Sequence, residues 1–409
     1  MQTNTLTNQY DETAPLSTFK HNGYYQVGDK IFNFRFNALE YATKTNQPVV
    51  WEFNTPEFRA LDWRTPLQVD IRTLYKRRAQ QLRDKYDYLI LSFSGGADST
   101  TVLQSFIHNN IHLDEIICDW PLEHTGALKV TNDPTPFNHY SEWELAVKPM
   151  LDHIRTHYPK IKITITDTTK DLTVEDDEHT FTISHMGPYQ STKRYKNVAE
   201  RFAEVNKKID RVAIIMGTEK PTTLIEKNVF CIYFADQHCF FKSSHMLTNR
   251  VVEYFYWSAD CPELIREQAH LIYQHLLVNP KDRVIFGSTP RVIEGGTRSD
   301  NVEQRLWDRY RNNLIKSIVY PDWNTKIFQA DKSDSLIYSS QYAWILQEDT
   351  RVMQAWEHSF VNRTSAIDPK YLNFYPDSQL VHGIRAFFSR LYPIGMLPAI
   401  ENSSPTLTR

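Results

Sequence analysis

Residues 91–100 read Leu91-Ser92-Phe93-Ser94-Gly95-Gly96-Ala97-Asp98-Ser99-Thr100. They join an apolar run, Tyr86–Phe93, to a segment whose Val102, Leu103, Phe106 and Ile107 share one helical face. A strand that passes through a tight glycine turn into a helix aims consecutive backbone amides at one point. That point is the positive end of the helix dipole, where an anion is favoured. Gly95 and Gly96 let the backbone approach a phosphate without a Cβ in the way, and Ser94, Ser99 and Thr100 add hydroxyl donors. Asp98 is the odd member. A carboxylate beside phosphates repels them unless Mg²⁺ lies between or it accepts hydrogen bonds from the loop. The stretch reads as a metal–nucleotide loop, with a capped Ser-Gly-Gly turn as the plain alternative. It matches neither the Walker A pattern nor the G-x-G-x-x-G dinucleotide fingerprint.

Working outward, Ile71, Leu74, Tyr75, Arg78, Ala79 and Leu82 have the spacing of an amphipathic helix leading into the first strand. After the loop helix, Glu115–Trp120 is a second strand, which completes a βαβ unit. Glu142–His157 is expected to be a helix and Ile161–Thr166 a strand. Tyr195, Val198, Ala199, Phe202 and Val205 mark another helix before the strand Arg211–Met216. Four strands separated by helices predict an α/β fold with a doubly wound, mostly parallel sheet. Asn228–Ser243 is expected to form two β runs around a polar turn, and Pro262 to open a helix through Val278 capped by Asp260 or Cys261. The expected organisation is a disordered tail over 1–20, a small N-terminal region over 21–85, the nucleotide-binding domain over 86–278 and a mostly helical C-terminal region over 279–409.

Composition bounds the function. The chain has 409 residues, 41% of them hydrophobic and 23% charged, so it is expected to fold, and its net charge of −3 gives no global attraction to nucleic acid or anionic lipid. Glycine is scarce, 12 in the whole chain, so a Gly-Gly pair calls for a reason. No apolar stretch reaches the roughly 18 residues that span a bilayer, and residues 1–18 are polar and acidic, so a cytoplasmic protein without membrane partners is expected. Cys118, Cys231, Cys239 and Cys261 contain no C-x-x-C pair, which predicts reduced, mostly buried thiols. The basic clusters Lys76-Arg77-Arg78 and Arg305, Arg309 and Arg311 are either helix surfaces or nucleic-acid contacts.

The motif S-G-G-x-D-S after the first strand, carried here by Ser94, Gly95, Gly96, Asp98, Ser99 and Thr100, resembles the PP-loop of the ATP pyrophosphatase superfamily, the adenine nucleotide alpha-hydrolase-like proteins. The resemblance implies a Rossmann-like domain over 86–278 that binds ATP with its pyrophosphate in the loop. Most members adenylate an acceptor oxygen, and a nitrogen or sulfur nucleophile then displaces AMP. Two further stretches are similar to the phosphoadenylyl-sulfate reductase-like branch: Cys118-Asp119-Trp120-Pro121-Leu122-Glu123-His124-Thr125 and Met216-Gly217-Thr218-Glu219-Lys220-Pro221. Trp257-Ser258-Ala259-Asp260 is similar to a segment of that branch too, with Trp257 either core or a cofactor contact.

The implied adenine-nucleotide set is Ser92, Phe93, Ser94, Gly95, Gly96, Asp98, Ser99, Thr100, Asp119, Trp120, Gly217, Thr218, Glu219 and Lys193, the last from a basic, hydroxyl-rich segment over 187–196. Asp98 and Lys220 are the implied catalytic residues, Lys220 neutralising charge at the α-phosphate as pyrophosphate leaves. Asp98 and Asp119 are the implied Mg²⁺ ligands, and Glu219 shares that role or meets the ribose. Glu219-Lys220 as an exposed turn pair is the plain alternative.

The departures narrow the branch. Position 2 is Gln2, not the cysteine of a built-in glutaminase; no cysteine follows Cys261, where the reductases carry theirs; and the paired cysteines of tRNA thiolation enzymes are missing. What remains is an AMP-forming ligase or transferase using ammonia or an amine. Its appendages fit a bulky second substrate such as a nucleotide or nucleobase. A sulfonucleotide reductase-like enzyme and a non-catalytic nucleotide-binding module are the alternatives.

Overall fold

The computed structural model describes residues 23–32, 35–120, 122, 143–167, 196–217, 219–234, 251–283, 286, 302–322, 365, 367–368 and 389–399. Strands β1 (Tyr24–Val27), β2 (Lys30–Phe32) and β3 (Val49–Glu52) form an antiparallel sheet in the order β2-β1-β3, with helix α1 (Arg35–Thr45) between β2 and β3. Strand alternation buries Tyr25, Val27 and Trp51 on its inner face. Helix α2 (Thr55–Arg59) is short, with Pro56 in its first turn. Helix α3 (Ile71–Lys85) starts at Asp70, whose carboxylate accepts from the Arg72 amide at 2.8 Å, and it buries the predicted stripe of Ile71, Leu74, Tyr75, Arg78, Ala79 and Leu82.

The chain then runs through β4 (Tyr88–Ser92), α4 (Ala97–Ile107), β5 (Glu115–Trp120), α5 (Lys148–His157, preceded by a π-helical turn over Trp143–Val147), β6 (Lys162–Asp167), α6 (Lys196–Asn206) and β7 (Val212–Met216). A hairpin of β8 (Thr222–Glu226) and β9 (Val229–Tyr233) precedes β10 (Val251–Tyr254). Helices α7 (Pro262–Val278) and α8 (Val302–Val319) and strand β11 (Tyr392–Met396) complete the described elements.

Five strands form one parallel sheet in the order β10-β7-β4-β5-β6. From β4 the chain steps outward through β5 and β6, then returns to the other side of β4 for β7 and β10, the strand order of a Rossmann-like core. The continuous apolar runs follow from burial on both faces. Leu89, Leu91, Ile116, Cys118, Ala213, Ile215 and Val252 share a core with α3, α4 and α7, while Ile90, Ile117, Val212 and Ile214 pack on Phe202 and Val205 of α6.

The expected α/β class and its parallel sheet are present, and several details differ. The sheet has a fifth strand, β10, where four were expected. Its sequence Val251-Val252-Glu253-Tyr254 is interrupted by a charge, which Arg78 and Lys85 of α3 neutralise at 2.8 and 2.9 Å. Of the two runs expected over 228–243, the first is β9, whose hairpin partner β8 precedes it through Lys227 and Asn228, both at positive φ as a tight type I′ turn requires; the second lies outside the described residues. A strand from the C-terminal region, β11, pairs antiparallel with β9, in a stretch read as mostly helical. Cys261, not Asp260, is the cap of α7, without a side-chain hydrogen bond. The tail over 1–20 lies outside the described residues.

An aromatic cluster ties these pieces together. Phe58 and Phe234 stack at 4.5 Å, Trp63 and Tyr392 meet at 4.9 Å, and Phe234 meets the edge of Trp257 at 5.2 Å. Trp257 is therefore a core residue. Among the described residues, no helix is long and apolar enough to cross a membrane.

Candidate nucleotide site

The loop between β4 and α4 is built by backbone rules. Phe93 donates to the carbonyl of Ile117 at 2.8 Å, which extends the sheet pairing one residue past β4. Gly95 then adopts φ +74, and Gly96 is the extended cap of α4. Thr100 donates the first helical hydrogen bond to Gly96 at 3.0 Å, so the amides of Ala97, Asp98 and Ser99 have no acceptor within the helix. The Ser99 hydroxyl donates to Gly96 O, accepts from the Ser94 amide at 3.2 Å and lies 3.3 Å from the Ser94 hydroxyl. The two serines converge, and Thr100 is buried. Gly95 passes under the π-helical turn, where a Cβ would come within 2.4 Å of Val147 Cγ2.

The end of β7 closes against the same helix. A Cβ on Gly217 would lie 2.9 Å from Ser99 Cα and 3.0 Å from Ser99 N, so only glycine allows this approach. Three residues further, Lys220 is buried, with Nζ 2.6 Å from Glu219 and 3.7 Å from Asp98 Oδ1. It is not the exposed turn residue of the plain alternative. Strand order reverses between β4 and β7, and the crevice beyond such a reversal is where open α/β sheets bind ligands.

The surroundings of Asp98 were not legible in the sequence. The Tyr320 hydroxyl, one residue past α8, donates to Asp98 Oδ1, and the Tyr256 hydroxyl donates to the Asp98 carbonyl at 2.7 Å. Burial, and secondarily the Asp98 charge, pushes the Tyr320 phenol well above its ordinary pKa, so it is a neutral donor. Tyr256 is shifted the same way, by burial first. Tyr75 donates to the carbonyl of Val319 at 2.6 Å and accepts from Gln268 at 2.7 Å, which fixes the end of α8 over the loop. The one sequence cue is that Tyr256 lies two residues past a strand end. Nothing local marks Tyr320.

The remaining predicted residues divide. Ser92 ends β4 and Phe93 is buried behind it. Asp119 is half-buried near the end of β5, while Trp120 is packed in the core on Trp143, ring centres 5.7 Å apart. Thr218, Lys193, residues 187–195 and 123–125 lie outside the described residues. Arg78, read as part of a basic surface cluster, is instead fully buried. It bonds Glu253 at 2.8 Å and the carbonyls of Tyr254 and Phe255 at 2.9 and 3.3 Å, which anchors the segment carrying Tyr256. Arg311 of the second basic cluster is half-buried, and the side chains of Arg305 and Arg309 lie outside the described residues. Cys118, Cys231 and Cys261 are buried free thiols, and burial pushes Cys231 up to about 11.

Among the described residues, no group of three His, Cys, Asp or Glu could hold a metal ion by itself. A nucleotide-bound Mg²⁺ takes only one or two carboxylates beside phosphate and water oxygens, and Asp98 fits that demand: Oδ1 is engaged by Tyr320, and Oδ2 has no partner among the described residues. No protein-family model matches the chain, and no curated protein shows significant similarity to it.

Proposed function

We propose that this chain is a PP-loop ATP pyrophosphatase-type enzyme, which cleaves ATP to AMP and pyrophosphate and adenylates an acceptor for attack by ammonia or an amine. One observation carries the reading. The Ser94–Ser99 loop and the Gly217–Lys220 loop meet at the reversal point of the parallel sheet, in backbone contact, with a buried lysine ammonium beside Asp98. The amides at the start of α4 suit the phosphate tail. In the first step an acceptor oxygen bonds the α-phosphorus as the bond to pyrophosphate breaks. In the second a nitrogen bonds the activated carbon and AMP leaves with the oxygen. Lys220 would neutralise negative charge that grows on the phosphates, and Asp98, with Asp119 where it reaches, would hold Mg²⁺. When bound, Mg²⁺ supplies further charge neutralisation. Lys220 is held in reserve on Glu219 until a phosphate competes for it.

The test is incubation of the full chain with ATP and Mg²⁺ across ammonia, amines and candidate nucleotide or nucleobase acceptors, with chromatographic analysis of the nucleotides. AMP and pyrophosphate are expected. ADP and phosphate would contradict the reading. Thiol-dependent sulfite release from phosphoadenylyl sulfate would move the chain to the reductase branch, and tight ATP binding without turnover under every mixture would make it a binding module.

A further inference from the structure

Buried tyrosines usually spend their hydroxyl on a backbone carbonyl, and Tyr75 and Tyr256 do so here. Tyr320 differs: its hydroxyl goes to the side chain of Asp98, 222 residues away, on the first turn of the helix that follows the loop. This contact selects one oxygen of the carboxylate. Oδ1 takes the Tyr320 hydroxyl and faces Lys220 at 3.7 Å, so Oδ2 is the atom left for a ligand. The tyrosine itself has no freedom to follow the carboxylate. Its ring lies 5.6 Å from that of Tyr256, its amide bonds Lys316 at 2.9 Å, and the preceding carbonyl is held by Tyr75. A rigid donor fixed from a distant segment is how a first-contact group is held to productive geometry.

We propose that Tyr320 is a positioning residue for the nucleotide site. It orients Asp98 toward nucleotide-bound Mg²⁺, and through it the end of α8 responds to nucleotide occupancy. The inference rests on the reading of the loop as an ATP site, and the experiment separates the two. ATP affinity is measured by calorimetry with Mg²⁺ and with EDTA, for the wild-type chain, Tyr320→Phe and Tyr88→Phe. The wild type is expected to bind ATP more tightly with Mg²⁺. Tyr320→Phe, which keeps the ring, should lose about tenfold of that Mg²⁺-linked gain while its affinity in EDTA changes less than twofold. Tyr88→Phe removes a hydrogen bond to Glu115 at the opposite end of β4, which touches neither Asp98 nor α8, and should keep the gain even if its melting temperature falls. In the wild type, Mg²⁺ with ATP should also slow amide exchange across 316–322, a readout that needs no variant. A Tyr320→Phe chain that keeps the full gain, or unchanged exchange across 316–322 on a chain that binds, overturns the positioning role alone. A wild-type chain that binds no ATP in either condition overturns the nucleotide reading and this inference with it.

Discussion

Gly217→Ala puts a single methyl group at the junction on which the site depends. The three nearest atoms to the new Cβ would be Ser99 Cα at 2.9 Å, Ser99 N at 3.0 Å and the Asp98 carbonyl carbon at 3.2 Å. All three are backbone atoms of the first turn of α4, so no side chain can swing aside. Restoring an ordinary contact of 3.4 Å requires the end of β7 and the start of α4 to part by about 0.5 Å. Overpacking of this kind costs about 1–3 kcal/mol of stability, since β7 and α4 are both tied into the sheet. If the two loops form the proposed ATP site, displacing them by half an ångström should weaken ATP binding by roughly tenfold, given that a 1 Å misplacement costs about a hundredfold in well-fitted sites. Urea unfolding gives the first number, and calorimetric titration with ATP and Mg²⁺ at a temperature well below the melting point gives the second. A variant with wild-type stability and an affinity within twofold would refute the claim that these loops meet in backbone contact to form one site.

Lys220→Met should cut AMP and pyrophosphate formation by about 10²–10³ while ATP affinity falls by less than tenfold, measured as separate kcat and Kd effects; unchanged turnover would remove Lys220 from the reaction. Burial alone would raise the Glu253 pKa, but Arg78, Tyr86 and Lys85 outweigh it and hold the carboxyl at about 2 against an ordinary 4.5. Because the folded value is the lower one, this stabilisation is fully present above pH 4.5 and lost as pH falls toward 2; it amounts to about 3 kcal/mol at pH 7. Glu253→Gln should therefore be less stable at pH 7 by about that amount in urea titrations, with a smaller acid-dependent loss between pH 5 and 2; equal stability and an equal acid profile would count against the buried network. Cys118, Cys231 and Cys261 should resist iodoacetamide at pH 8 in the native chain and react once it is unfolded, as read by peptide mass mapping; rapid native labelling of Cys231 would contradict its burial and its thiol pKa of about 11.

Much of the central sheet was legible because its signals are local. The apolar runs at β4, β5 and β7 and the amphipathic spacing of α3 are set by burial on one face or two, and each can be read within a dozen residues. The strand β10 escaped because Glu253 breaks its apolar run, and the residue that makes a charge tolerable there, Arg78, lies 175 positions earlier. The same distance effect explains why Arg78 reads both as part of the buried stripe and as part of a basic surface cluster: a residue that follows two other basic residues looks like surface until its carboxylate partner is known. The hairpin of β8 and β9 turns through Lys227-Asn228, which lacks the usual glycine, and its third strand arrives from residues 392–396.

Sequence alone determined the loop: a strand end, two glycines, a cap and a helix start follow from steric freedom and hydrogen-bond supply within ten residues, and they fix where amides point. It also named Lys220, without its surroundings. Tertiary structure decided what faces that loop. Gly217 against Ser99, the ammonium of Lys220 near Asp98 and the hydroxyl of Tyr320 on its carboxylate all join segments more than a hundred positions apart. Such contacts come from packing of a shared core: motif resemblance grouped Gly217 and Lys220 with Asp98 without their geometry, and no periodicity or motif marked Tyr320.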